Sequence, residues 1–371
     1  MLAQGTKNFL RRLGAAALAA IVAGLPLGAA AQRPIDGGNY EKCMRRARTD
    51  PDQGLETALA WQERGGGVAA RHCAAVSLIG LGQYAQAAQR LKALAGDMKD
   101  AGATDRAAIL AQAGTAWFQA GDFTRAHAMQ SAALTALGYE IHPFDDKAAL
   151  AGTTHLLSSP PPGPGGDPVL ERHGDAIAGL PDLRWAGYLS TTGVYGDRKG
   201  GWVDEESSLR PTGIRGQRRR AAEAAWCALG LPIHLFRLAG IYGPGRNALE
   251  TVRRGGARRI VKPDQVFSRI HIDDIAAVLR ASIKTPSPGA VYNVCDDEAA
   301  PPQDVITFAC GLLAVAPPPC IAFADAELSD MARSFYRDNK RVSNCRIKND
   351  LGVTLRWPTY RDGLRGLLES G

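Results

Sequence analysis

The sequence predicts two kinds of structure in one chain: a helical repeat segment followed by an α/β domain with a parallel sheet. Three observations predict it. Before residue 136 the chain is rich in alanine, leucine, glutamine and arginine and has almost no β-branched runs. A Gly-polar-aromatic pattern recurs there after 39 residues. Beyond residue 136, short strand-like runs alternate with helical ones, as parallel sheets require. With 371 residues the chain has room for two to three domains. Its 45% apolar and 22% charged residues exclude a wholly disordered chain. The net charge of +7 is compatible with phosphate ligands without demanding them.

Residues 1–31 read as a secretory signal peptide. Lys7, Arg11 and Arg12 are followed by an uncharged apolar run, 13–27, and then by the small-residue site Ala29-Ala30-Ala31. A transmembrane anchor is the alternative. A run of that length rises only about 22 Å as a helix, short of the roughly 30 Å hydrocarbon core. No later run is apolar enough to span a bilayer, so a stable membrane span is not expected after cleavage.

Residues 32–135 form the helical segment. Gly82-Gln83-Tyr84 with Ala87 and Gly121-Asp122-Phe123 with Ala126 share one pattern: helix, glycine turn, aromatic wedge, small residue. This resembles a tetratricopeptide repeat, and the long offset places an extended loop near 99–105. An ordinary alanine-rich bundle is the alternative. Such an array implies a peptide or protein ligand. Cys43 and Cys73 are placed on successive helices, and in an exported chain they are candidates for a disulfide.

Residues 136–371 form the α/β domain. Strand-like or helical runs are read at 138–144, 154–159, 183–190, 218–229, 233–238, 249–254, 273–282 and 291–294. In such sheets ligands collect at the carboxyl ends of the strands.

Four motifs then carry a family resemblance. They are Tyr188-Leu189-Ser190-Thr191-Thr192-Gly193-Val194-Tyr195-Gly196, Phe236-Arg237-Leu238-Ala239-Gly240-Ile241-Tyr242-Gly243-Pro244-Gly245-Arg246, Arg269-Ile270-His271-Ile272-Asp273-Asp274, and Val291-Tyr292-Asn293-Val294. In this order they resemble the extended short-chain dehydrogenase/reductase (SDR) family, the NAD(P)-dependent epimerases and dehydratases. The resemblance covers residues 138–369 and implies a Rossmann-like domain. It also implies NAD or NADP as cofactor, an unnamed small-molecule substrate and a cytoplasmic setting. Carried over residue by residue, it makes Thr191, Arg215 and Arg219 the catalytic candidates. Ser190, Arg219, Leu238 and Tyr242 become cofactor candidates, and Arg246, Arg269 and His271 substrate candidates. Asp273 and Asp274 also suit plain helix caps, Asp274 in particular, and His271 a structural hydrogen bond.

Two departures bear on activity. The family's opening strand and G-x-x-G-x-x-G loop have no counterpart before Tyr139, since Gly65-Gly66-Gly67 reads as a turn between helices. The domain is therefore truncated at its first two strands, and the run 139–143 is expected to pair directly with 154–159. Secondly, the positions of the family's Tyr-x-x-x-Lys fall on Arg215 and Arg219. A guanidinium cannot exchange a proton near neutrality, which puts turnover in doubt. The arginine clusters at 218–220, 253–254 and 258–259 lack interleaved aromatics, so nucleic acid is not an expected partner. The scattered cysteines form no metal-ligand pattern. An exported chain and a reductase-like half point to different compartments, periplasmic or secreted against cytoplasmic. The alternative function is an exported repeat module that carries the reductase-like half as a passenger.

Overall fold

Helix punctuation organises the N-terminal part of the chain. The computed structural model describes residues 37–369 in two units, the first ending at Pro143 and the second beginning at Phe144. The signal-peptide segment lies outside the described residues. The first unit contains helices α1 (Gly37–Thr49), α2 (Pro51–Glu63), α3 (Gly67–Gly80), α4 (Tyr84–Asp97), α5 (Ala103–Gln119) and α6 (Phe123–Ala136). Asp50 and Asp122 cap α2 and α6 by accepting the amides of Gln53 and Arg125. The α3–α4 and α5–α6 turns are built alike. Gly82 and Gly121 are left-handed, at φ +73° and +80°. The following amides of Gln83 and Asp122 return to Leu78 and Trp117 carbonyls at 2.9 and 3.0 Å. Gly65-Gly66-Gly67 joins α2 to α3 as a turn. Fully buried alanines, among them Ala74, Ala75, Ala87, Ala88, Ala107 and Ala113, let the helices pack closely.

Cys43 and Cys73 form a disulfide that closes a 30-residue separation. They sit on α1 and α3 rather than on successive helices, because α2 folds back between them. Among the described residues no helix is long and apolar enough to cross a membrane.

The second unit is built on four parallel strands: β1 (His155–Ser158), β2 (Trp185–Thr191), β4 (Ile233–Leu238) and β8 (Val291–Val294). They form one sheet of order β1-β2-β4-β8. One face packs on α7 (Pro168–Ala178) and α8 (Ile214–Cys227) through Ile177, Ala222 and Trp226 against Tyr188 and Leu235. The other packs on α10 (Ile272–Lys284) and α13 (Cys345–Asn349) through Ile275, Val278 and Ile347 against Trp185, Phe236 and Tyr292. A side chain at Gly187 would meet the Trp185 ring at 2.3 Å, so only glycine leaves room for that buried indole. The indole nitrogen of Trp185 donates to Ser282 Oγ of α10 at 3.1 Å.

Short parallel pairs flank the sheet: β3 (Trp202–Val203) with β10 (Arg341–Val342), β5 (Gly240–Tyr242) with β7 (Arg269–His271), and β6 (Arg259–Val261) with β9 (Cys320–Ala322). Helices α9 (Ala248–Arg253), α11 (Pro302–Leu312) and α14 (Tyr360–Glu369) share a small core around Leu249, Val305 and Tyr360. The short helix α12 (Asp330–Phe335) completes the elements.

One expectation fails. The run 139–143 forms no strand, and β1 pairs only with β2. Tyr139 and Ile141 are 62% and 41% exposed. In the strand order 3-2-1-4-5-6, a third strand hydrogen-bonds to the second and never to the fourth. Among the described residues no strand precedes β1; its outer edge pairs with no strand, and the exposed run 139–143 stays irregular. The run 249–254 is helical, as α9.

The disulfide should matter to stability. Closing a loop of this length is worth roughly 3–4 kcal/mol in the chain-entropy account. The double variant C43A/C73A of the full chain should melt its helical unit several degrees earlier than wild type under non-reducing conditions. Calorimetry that showed coincident transitions would count against this.

Candidate functional site

The carboxyl ends of the strands carry a row of polar side chains on one face. Ser190 of β2, Arg237 of β4 and Asn293 of β8 are consecutive partners in the parallel register. All three are buried. Glu223 of α8 reaches into this row: its Oε2 accepts from Arg237 Nη2 at 2.9 Å and its Oε1 from Arg237 Nε at 3.2 Å. The Ser190 hydroxyl also donates to Glu223 Oε1. Tyr195 accepts from Arg237 Nη1 at 3.0 Å and donates to Asn293 Oδ1 at 2.7 Å. The backbone N–H of Asn293 donates to Glu205 Oε1 at 2.7 Å. The network spans three strands and one helix and holds their ends in register. Burial and Glu205 push the Tyr195 phenol up against the opposing pull of Arg237.

One residue further on, Thr191 ends β2. Its Oγ1 accepts from the Gly193 amide at 3.1 Å, which leaves its own O–H to donate. Arg219 of α8 lies across the ends of β1 and β2. Its Nη1 donates to Leu189 O at 2.8 Å, to Tyr188 Oη at 3.0 Å and to Pro160 O at 3.4 Å. Thr191, Ser190 and Arg219 are thus all held at the carboxyl end of β2, although Ser190 and Thr191 leave the strand on opposite faces and the Ser190 hydroxyl is consumed inside the network. Arg215 is exposed and turns to α12, donating to Ser334 Oγ at 2.7 Å and stacking on Phe335. The two arginines thus do not act as a pair in the way a Tyr-Lys couple would.

The remaining candidates lie elsewhere. Leu238 ends β4 inside the apolar core on the face opposite Arg237. Tyr242 is buried at the end of β5, its hydroxyl directed at the Thr359 carbonyl at 3.4 Å. Arg269 of β7 donates to the carbonyls of Phe267 and Ala300 at 2.8 and 3.1 Å. His271 is 2% exposed and packs against the rings of Tyr242 and Trp357. Its Nδ1 accepts the Asp273 amide at 3.2 Å, which makes His271 the cap of α10. Arg246 is exposed and borders a surface cavity of about 300 Å³ with Asn247 and Arg254. Asp274 is not a cap, contrary to its reading from sequence. It is buried, and its carboxylate accepts the amides of Arg356 and Trp357 at 2.7 and 3.1 Å, tying the C-terminal segment to α10. A charge already satisfied by two distant amides does not also serve its own helix end. Among the described residues no group of histidine, cysteine and acidic side chains could hold a metal.

Beside this second cluster lies Asp296, just past β8. It is 3% exposed, and neither oxygen has a partner of hydrogen-bonding geometry among the described residues. Burial pushes its carboxyl up to about 8, and the Arg269 charge and the Glu298 backbone oppose the shift without cancelling it. Sequence reasoning passed over Glu223, Arg237, Asn293 and Asp296. The signal that could have found two of them was a polar residue inside an otherwise apolar strand, as in Phe236-Arg237-Leu238 and Tyr292-Asn293-Val294.

The parallel sheet and the helices on both of its faces define a Rossmann-like α/β domain. This fold is shared with dTDP-glucose 4,6-dehydratase (DesIV) from Streptomyces venezuelae, whose structure holds NAD: TM-score 0.51, 16% identity, 65% of this chain and 83% of that one. The chain belongs to the same family as a functionally unknown conserved protein from Silicibacter pomeroyi DSS. It is 54% identical to that protein over 65% of its own length and 86% of the other's, with a TM-score of 0.62. It is also 26% identical to Protein YeeZ of Escherichia coli K12 over 173 residues, 46% of this chain. The chain spans only 58% of the length of that curated relative. No family model matches.

Two outcomes follow from the buried charges. Replacing Glu223 by glutamine leaves Arg237 buried without a counter-charge, which should cost about 3–5 kcal/mol in urea unfolding. For Asp296 the fold prefers the neutral acid. Its contribution to stability is complete below the ordinary carboxyl range and is lost as pH rises through about 8. The urea midpoint of wild type should therefore fall between pH 6 and 9, and that of Asp296→Asn should fall less. Parallel pH curves would refute the assignment.

Proposed function

We propose that this chain is an NAD(P)-dependent epimerase/dehydratase-like protein of the SDR type that binds its ligand more readily than it turns it over. The observation that carries this is Arg219, spread across the carboxyl ends of β1 and β2, where Thr191 ends β2 with an O–H left to donate. The residues fit the ribose–nicotinamide half of a dinucleotide. Arg219 would bind ribose hydroxyls or a phosphate oxygen, and Thr191 would donate to a carbonyl oxygen as negative charge develops on it. The cofactor would supply hydride chemistry when bound. The pyrophosphate half does not fit, because no strand, glycine loop and helix N-terminus precedes β1 among the described residues. Arg215 and Arg219 stand where a tyrosine and a lysine would pass a proton, and a guanidinium holds its protons at any working pH.

The second reading is an exported module whose helical unit takes a peptide or protein. It is supported by two helix hairpins with the same glycine turn and by the Cys43–Cys73 disulfide, which suits an oxidising compartment. Five further cysteines are free, and Cys295 and Cys310 are buried, which suits a reducing one.

Titration of the full chain with NADH and NADPH, followed by cofactor fluorescence, tests the first reading. Weak saturable binding is expected, reduced about tenfold or more by Arg219→Ala, as removal of a charged hydrogen-bond donor implies. Absence of saturable binding by wild type would leave the second reading standing.

A further inference from the structure

A chain of hydrogen bonds crosses three helices of the first unit. His72 of α3 is 4% exposed, and both nitrogens of its ring have partners. Nε2 lies 2.8 Å from Gln112 Oε1 of α5, and Nδ1 lies 2.6 Å from the Tyr40 hydroxyl of α1. An amide oxygen only accepts, so Nε2 carries the proton of the neutral ring and Nδ1 presents its lone pair. Tyr40 supplies the matching donor. Burial pushes its phenol up to about 12 against the opposing pull of Arg48, so its O–H is intact near neutrality and in acid. The two rings also stack, with centroids 6.0 Å apart.

This arrangement suits only the neutral imidazole. A second proton, on Nδ1, would face the proton of the Tyr40 hydroxyl. The hydroxyl bonds no other described residue, so it would have to turn away and give up its acceptor. The new charge would also be enclosed. On α1 the charge that acts on the ring is Arg48, which opposes protonation as burial does, and the Gln112 bond from α5 favours it without cancelling them. Helix α2 meets α3 through Ala58 and Trp61, which carry no charge, and Asp97 of α4 is engaged by Arg71 at 2.7 Å.

We propose that Tyr40, His72 and Gln112 form an acid-sensitive latch, which holds the start of α1 against the helical unit near neutrality and lets it loosen in acid. The latch is independent of any ligand of either unit. The disulfide keeps the loosening local. Cys43 follows Tyr40 by about one helical turn and Cys73 follows His72 directly, so α1 stays attached when the Tyr40 hydrogen bond is lost. Beyond that anchor, Ala47 is buried in the core shared with Ala58 and Trp61. The folded unit prefers the neutral ring. Its stabilising contribution is therefore complete above the ordinary imidazole value of about 6.5 and is lost as pH falls below it.

Hydrogen exchange of the full-length, disulfide-intact chain tests the latch, read by mass spectrometry on peptides from α1 at about pH 7.5 and about pH 5. After correction for intrinsic rates, wild-type protection of α1 should fall about tenfold in acid, which corresponds to about one unit of displaced pKa. His72→Asn keeps an oxygen for the Tyr40 hydroxyl and does not titrate, so its α1 protection should change by about twofold or less. Peptides from α6, which the latch does not touch, should show no such loss in wild type. Nitrogen-15 NMR of labelled histidine supplies a second readout on wild type alone. The His72 ring should be the Nε2–H tautomer near neutrality and should titrate below about 6.5. Equal protection of wild-type α1 at both pH values would overturn the latch, and so would an equal loss in wild type and His72→Asn. A His72 ring that holds its proton on Nδ1, or titrates at or above its ordinary value, would do the same whether or not the variant folds.

Discussion

The ion pair between Arg237 and Glu223 is the constraint on which the second unit depends. The two side chains are only 6% and 5% exposed. Two charges removed from water persist only if each is nearly fully hydrogen-bonded. The strand ends nearby supply those bonds, with Ser190 from β2, Tyr195 from the turn after it and Asn293 from β8 all joined to the pair's network. Satisfying the pair therefore fixes the register of β2, β4 and β8 and the height of α8 above them. The position of α8 in turn decides where Arg219 lies, so the geometry of the candidate site is set by a salt bridge that touches no ligand.

The sheet's other edge has no comparable constraint. β1 has one neighbour, and Leu157 on it is 46% exposed. A parallel strand at an edge loses half of its ladder, and the doubly wound order 3-2-1-4-5-6 has a further strand at that position. Ser158 and Asp167 at this end, and Asn293 and Asp296 at the β8 end, alike hold buried polar atoms without a partner among the described residues.

Much of the fold was legible in the residues. Strands such as 233–238 and 291–294 are apolar runs flanked by turn residues, and burial on both faces gives them that composition. The two glycine turns of the helical unit were readable because only a left-handed residue closes a helix in that manner. The run 139–143 misled for the converse reason: its local pattern suits a strand, but pairing is what makes one, and this run pairs with no strand. Asp274 misled similarly, as a helix-start aspartate reads as a cap until a segment more than eighty residues away supplies its amides.

The residues alone determined the division into a helical and an α/β part, the order of the motifs at the strand ends, and the presence of guanidinium groups, always protonated near neutrality, at 215 and 219. These are properties of composition, spacing and side-chain pKa, which need no neighbours. Only the tertiary structure decided that Arg219 faces the strand ends while Arg215 turns to α12, that His271 caps a helix, and that Asp296 is held largely neutral. Hydrogen-bond partners and burial are set by segments far apart in the chain, and no local pattern encodes them.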